Sequence, residues 1–223
     1  VSDGFVGNRM LARRTRECYF MLEEGALPEQ VDRVLCEFGF PMGQFQLNDL
    51  AGLDVAWRNR QSRLDRLSER EAACNILDEI VAAGRLGQKT GAGFYTYDAQ
   101  RKRSVDPAIS ELIVRNAERR GIARRAISDE EILERCLYSM INEGARILEE
   151  GVASRPEDID TIWLNGYGFP RFQGGPMFHA DQIGAARICE RIRHYASHAG
   201  AQYWTPAPLL LAQARDGGAF HGR

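Results

Sequence analysis

Leu22-Glu23-Glu24-Gly25 closes a helical pattern that begins near Phe5, and the same four residues recur as Leu148-Glu149-Glu150-Gly151. An ordered series of matches extends from this pair. Asp32 recurs as Asp160, Gly39-Phe40-Pro41 as Gly168-Phe169-Pro170, and Gly43, Asp49 and Gly52 as Gly175, Asp181 and Gly184. The offset is 126 residues at the first match and 132 at the last, and it only grows, as a few loop insertions would make it. Chance similarity between helical stretches can produce one such match, but not an ordered series. The repeat predicts two homologous helical units, residues 1–104 and 105–223, joined near Arg101-Lys102-Arg103.

Local signals agree with a helical chain. Leu11, Thr15, Cys18 and Leu22 follow at steps of 4, 3 and 4, one face of a helix that Gly25 can cap. Ser68 with Glu71, Ser128 with Glu131 and Ser154 with Glu157 have the spacing of capping boxes. Pro28, Pro107 and Pro206 stand where first helical turns would start. Helices are expected at about 5–24, 29–38, 69–83, 107–120, 129–150, 156–164, 178–198 with a break near Gly184, and 207–216. The alternating run Phe94 to Tyr97 is too short for a sheet. The expected fold is all-α, in two tandem, pseudo-symmetric helical domains.

Composition excludes several partners. The 29 Lys and Arg nearly balance the 31 Asp and Glu, so the net charge of −2 gives no reason to expect nucleic acid or an anionic membrane. Arginines 115, 119, 120, 124 and 125 form the densest basic stretch, read as a solvated helix end or, alternatively, a binding site for an acidic group such as a phosphate. The five cysteines (Cys18, Cys36, Cys74, Cys136, Cys189) form no CxxC pair and suit reduced thiols of a cytoplasmic protein. The four histidines lack any tight metal-ligand spacing, so no metal site is expected. No apolar run reaches about 18 residues, and no signal peptide is visible. A start at Val1 rather than Met points to a beginning inside a longer gene product.

No G-x-G-x-x-G follows a strand; Gly91-Ala92-Gly93 and Gly166-Tyr167-Gly168 lack both the third glycine and a βαβ context. No G-x-S-x-G elbow supports a serine nucleophile. The residues alone describe a duplicated helical protein without a complete active site.

Three motifs occur in a fixed order: Gly4-Phe5-Val6-Gly7-Asn8-Arg9; Gly39-Phe40-Pro41-Met42-Gly43 with Asp49 and Gly52-Leu53-Asp54; and Gly87-Gln88-Lys89-Thr90-Gly91-Ala92-Gly93-Phe94-Tyr95. In this the chain resembles the C-terminal domain of 3-hydroxyacyl-CoA dehydrogenases, a fold like the C-terminal domain of 6-phosphogluconate dehydrogenase. The second copy, with Gly168-Phe169-Pro170-Arg171-Phe172-Gln173-Gly174-Gly175-Pro176-Met177, is similar to the extra domain of the multifunctional enzymes that fuse an enoyl-CoA hydratase to the dehydrogenase. The resemblance implies an L-3-hydroxyacyl-CoA substrate of fatty-acid β-oxidation and a 3-ketoacyl-CoA product. It also implies NAD bound by a preceding Rossmann domain, which carries the catalytic histidine and its glutamate. Neither lies in this chain, so the chain alone is expected to be inactive.

Residue by residue, the resemblance makes Asn8 the catalytic and substrate-binding candidate. Its amide would hydrogen-bond the substrate oxygen as charge develops there. The alternative is a helix-start residue bonding nearby backbone. In some multifunctional bacterial members a tyrosine just before the second Gly-Phe-Pro reaches the substrate; Asn165 is read at that position and is the second substrate-binding candidate. Phe40 is expected to plug the core at a tight turn or to line the acyl pocket. Lys89 is read as a solvated or capping lysine or a phosphate contact, and His179 as a packing or surface residue. Two rival functions stay open: a non-catalytic helical scaffold or dimerisation module, which gives Asn8 no role, and the helical domain of a related dehydrogenase acting on a non-CoA hydroxy acid.

Overall fold

The computed structural model describes residues 4–222. It is all-α apart from one small hairpin. The helices in chain order are α1 (Gly7–Glu24), α2 (Pro28–Phe38), α3 (Gln44–Ala51), α4 (Leu53–Gln61), α5 (Glu69–Ala73), α6 (Ile76–Ala82), α7 (Pro107–Arg119), α8 (Asp129–Glu149), α9 (Pro156–Gly166), α10 (Pro176–Ile183), α11 (Ala185–Tyr195) and α12 (Pro208–Asp216). Strands β1 (Tyr95–Tyr97) and β2 (Arg103–Val105) pair antiparallel, with Thr96 opposite Ser104.

Most expected helices are present, and the departures have local causes. The helix expected over 69–83 is broken at Cys74, whose backbone is extended at φ −74° and ψ 92°. Gly184, at φ +90°, separates α10 from α11. Ser68 and Glu71 form a complete capping box, and Ser128 accepts from the Glu131 N–H at 3.1 Å. At α9 the expected Ser154 box is absent: Arg155 is the cap residue, and its N–H donates to Asp158 at 3.1 Å. The last helix starts on Pro208 rather than Pro206. Helices α3 and α4 had no expectation.

By compactness the described chain falls into two units that are discontinuous in sequence. A terminal unit holds residues 4–17, 38–40 and 133–222, and a central unit holds 18–37 and 41–132. The sequence repeat cuts the chain near residue 104 instead. Homology and compactness differ here because α1 and α8 each contribute residues to both units.

In the central unit, two buried aspartates organise the chain. Asp32 accepts from the backbone N–H groups of Phe45 and Gln46 at 2.8 and 2.9 Å, holding the first turn of α3, and from the Tyr95 hydroxyl at 2.8 Å. Asp49 accepts from the N–H groups of Phe94 and Tyr95 at 2.8 and 3.0 Å and from the Tyr97 hydroxyl at 2.9 Å. Burial raises both carboxyls, and these hydrogen bonds oppose it. A Cβ at Gly43 would lie 2.3 Å from the Asp32 Cα, so glycine is needed for this approach.

The terminal unit repeats the arrangement. Asp160 accepts from the N–H groups of Met177 and Phe178 at 2.7 and 3.1 Å, and a Cβ at Gly175 would lie 2.4 Å from its side chain. Asp181 accepts from the N–H groups of Phe220 and His221 at 2.7 and 2.9 Å. Gly217 to His221 therefore answers Gly91 to Tyr95, an equivalence the sequence reading missed. Its offset returns to 126, so the offset does not only grow. His221 takes the place of Tyr95: its ring lies 3.1 Å from Asp160 and 2.8 Å from Asp181.

The arginines of 115–125 face protein groups rather than an open anion site. In the central unit Arg119 pairs with Glu79, Arg120 with Glu23, and Arg125 with Glu131. Arg124 donates to the carbonyls of Leu22, Gly25 and Ala26, closing the C-terminal end of α1. Four of the cysteines are buried, Cys36 is exposed, and all five are free thiols. Among the described residues no helix is long and apolar enough to cross a membrane, and no group of three metal-ligating side chains occurs.

Candidate functional site

The start of α1, in the terminal unit, is exposed and closely constrained. Gly4 and Phe5 enter the helix at φ +75° and +47°, which turns Val6 and Met10 inward and leaves Asn8 exposed. The Tyr167 hydroxyl, at the end of α9, donates to the Asn8 Oδ1 at 2.8 Å. A Cβ at Gly7 would lie 2.2 Å from the Tyr167 ring, so only glycine lets the ring lie against the helix start. Tyr167 stacks on Trp163 at 4.8 Å between centroids, and the Trp163 indole N–H donates to the Met10 sulfur at 3.2 Å. Trp163 is fully buried. This closed path runs from Met10 through Trp163 and Tyr167 back to the Asn8 oxygen. The amide oxygen is taken, and among the described residues its NH₂ has no partner.

Arg9, the next residue, is held from two sides. Its guanidinium donates to Glu143 at 2.9 and 2.7 Å and to Glu150 at 2.5 and 3.1 Å. The hydrogen bond to Glu150 is the largest cause of a raised Arg9 pKa; partial burial opposes it and Glu143 adds to it. Burial alone would raise the Glu143 carboxyl, but the charges and hydrogen bonds of Arg13 and Arg9 outweigh it and keep the group below the usual range.

Asn165 stands apart from this arrangement. Its side chain donates to the Thr161 carbonyl at 2.9 Å and accepts from Arg171 at 3.1 Å, both on or next to its own helix. The residue that meets Asn8 is Tyr167, which immediately precedes Gly168-Phe169-Pro170. Tyr167, not Asn165, stands directly before Gly168 in the sequence, and that adjacency was the signal available for it.

The other candidates are structural in their surroundings. Phe40 is buried against Phe38 and Phe169, at 5.7 and 5.5 Å between centroids, with the Arg14 guanidinium 4.8 Å from its ring. His179 joins the cluster edge-on to Phe38 at 5.2 Å, and burial lowers its pKa. Lys89, in the central unit, pairs with Asp54, which also binds Arg58 at 2.7 Å.

The second copy is closed at the position equivalent to Asn8. The offset of 126 places Glu134 there, and Glu134 is buried. It accepts from Arg191 at 2.6 Å and from the Tyr195 hydroxyl at 2.5 Å. Among the described residues the strands form only the two-stranded hairpin, and Gly91 to Gly93 lead into its first strand rather than from a strand into a helix.

Two copies of one aspartate-centred frame, with an outward asparagine in the first copy alone, define a duplicated all-α domain. The chain belongs to the 3-hydroxyacyl-CoA dehydrogenase family, whose C-terminal domain matches it at residues 4–97 and at 132–219. It is 46% identical to the peroxisomal bifunctional enzyme of Danio rerio, over 93% of this chain and 31% of that protein. The dehydrogenase part of multifunctional enzyme 1 from C. elegans superposes with a TM-score of 0.72 at 30% identity, covering 93% of this chain and 47% of that one. The 3-hydroxybutyryl-CoA dehydrogenase of Escherichia coli K12 gives 0.73 at 25% identity, covering 95% of this chain and 60% of that one. The chain spans about a third of the length of the curated relatives it matches.

Proposed function

We propose that this chain completes the substrate site of an NAD-dependent L-3-hydroxyacyl-CoA dehydrogenase of fatty-acid β-oxidation, with Asn8 as its catalytic contribution. The carrying observation is the Asn8 amide, exposed, with its oxygen held by Tyr167 and its NH₂ left to donate. A donor aimed at the substrate's 3-oxygen stabilises the charge that oxygen carries in the transition state. Since the chain's own residues do not fit NAD, the cofactor and the catalytic base belong to a Rossmann domain elsewhere in a longer protein. A hydratase domain in that protein is supported by relatives named bifunctional and by the fraction of their length that this chain spans. The copies are residues 1–104 and 105–223, a division supported by the two separate family matches and the repeated aspartate frame. Free cysteines fit a reducing compartment such as the cytoplasm.

The test is turnover. The full-length protein should oxidise an L-3-hydroxyacyl-CoA with appearance of NADH, and this chain alone should not reduce acetoacetyl-CoA with NADH. Turnover by the purified chain alone would overturn the assignment of base and cofactor to another domain.

A further inference from the structure

Asn8 is bracketed by two restraints of different kinds. Tyr167 holds its amide directly, while the helix turn that carries it is held through Arg9. The Arg9 guanidinium spans two carboxylates of α8 and its C-terminal end, with Glu143 accepting from Nε and Nη2 and Glu150 from Nη1 and Nη2. One Glu143 oxygen bridging Nε and Nη2, together with a two-oxygen fork from Glu150, fixes both the position and the plane of the guanidinium, which a single ion pair does not. Glu143 is the inner anchor, its side chain 1% exposed, and it also binds Arg13 at 3.0 Å, one helical turn beyond Arg9. The carboxylate therefore grips two successive turns of α1 from one side and sets the rotation of the helix about its axis. Asn8 lies in that first turn, so a small rotation sweeps its NH₂ away from a fixed target.

We propose that Glu143 is a positioning residue for Asn8, acting through the Arg9 guanidinium; this rests on the reading of Asn8 as the catalytic amide. Glu143 touches no reacting atom. Its equivalent in the first copy, at the offset of 126, is Glu17, which binds Arg135, the equivalent of Arg9. The ion pair thus belongs to the frame of both copies, but only at Arg9 does it adjoin an exposed amide.

The experiment is a double-mutant cycle on the full-length enzyme with Glu143→Gln, Asn8→Ala and the combination. Glu143→Gln should lower kcat by about 10-fold to 10²-fold, as a misplacement of about an ångström does, with KM changed much less. In the Asn8→Ala background the same substitution should cost almost nothing more, because the group it positions is gone. Losses that multiply in the double variant would show that Glu143 acts independently of Asn8 and would overturn the proposal. So would a normal kcat in Glu143→Gln while Asn8→Ala is impaired, which leaves the Asn8 assignment standing. A normal kcat in Asn8→Ala removes both. Should Glu143→Gln fail to fold, Arg9→Lys and Glu150→Gln test the same coupling, the lysine keeping the charge but losing the fork. Each should lower kcat only when Asn8 is present.

Discussion

Glu17 and Arg135 form an ion pair in which neither side chain has any exposure, with Nε and Nη2 of Arg135 3.1 and 2.9 Å from one Glu17 oxygen. Arg9 and Glu143 are the same two residues of the repeat with the copies exchanged, so one pairing rule is written twice into the terminal unit. Removing one partner of such a pair leaves an uncompensated charge in the core, at a typical cost of about 3–5 kcal/mol. Glu17→Ala should therefore lower the melting temperature by on the order of 10 °C. Replacing both residues, as Glu17→Leu with Arg135→Met, should recover only part of that loss, because Arg16, which also donates to Glu17 at 3.2 Å, then lacks its carboxylate. Equal melting temperatures for wild type and Glu17→Ala would show that the pair holds nothing together.

Asp160 makes a second, pH-dependent prediction. Burial pushes its carboxyl up to about 6, against the N–H groups of Met177 and Phe178 and the charge of His221. A raised acid keeps its proton in the folded state where the unfolded chain has lost it. Its contribution to stability is therefore full below the unfolded value of 3.8 and is lost as pH rises through about 6. Asp160→Asn abolishes that loss. The melting temperature of the parent protein relative to its Asp160→Asn variant should fall by a few degrees between about pH 4 and about pH 7. The comparison is made in a His221→Phe background, because the imidazole faces both Asp160 and Asp181. A constant difference across that range would count against a buried, raised carboxyl.

The repeat and the three motifs made the fold legible, because glycines and aspartates at fixed turns survive in plain sequence. What hid was polar. The buried stripe of α1 runs through Met10, Arg14, Glu17, Cys18 and Met21, whereas the expected Leu11 and Thr15 are only half-buried. A search for apolar periodicity misses a stripe in which Arg14 and Glu17 are core residues. Helices α3 and α4 were invisible for a related reason. Their starts are set by Asp32 and by Gly52 at φ +96°, not by local capping side chains. At the site, Asn8 was legible from its motif, but its partner depended on the fold bringing α9 to the start of α1.

That partner separates two candidates. Asn165 is engaged by Thr161 and Arg171 on its own stretch of chain, so Asn165→Ala should leave kcat and KM of the full-length enzyme unchanged. Tyr167→Phe keeps the ring against Gly7 but frees the Asn8 oxygen. One neutral hydrogen bond is worth about 1 kcal/mol, so kcat should fall by roughly 5-fold. A kcat loss in Asn165→Ala and none in Tyr167→Phe would reverse the order of the two residues.

Asn8 itself carries the sharpest test. If its NH₂ meets the substrate's 3-oxygen as charge develops, Asn8→Ala should lower kcat far more than it raises KM, because the lost interaction is strongest in the transition state. Loss of one positioned donor typically costs on the order of 10²–10³ in kcat, about 3–4 kcal/mol. Asn8→Asp should be at least as harmful. A carboxylate there repels the developing oxyanion and, beside the base proposed in the other domain, favours its charged form. If Asn8 only secured its helix start, both variants would instead be less stable by about 1 kcal/mol, with normal kcat in the folded fraction. Steady-state kinetics and melting curves on the same two variants separate these outcomes. A well-folded Asn8→Ala enzyme with near-normal kcat would end the catalytic assignment, and the outward amide would then be no more than a cap held by Tyr167.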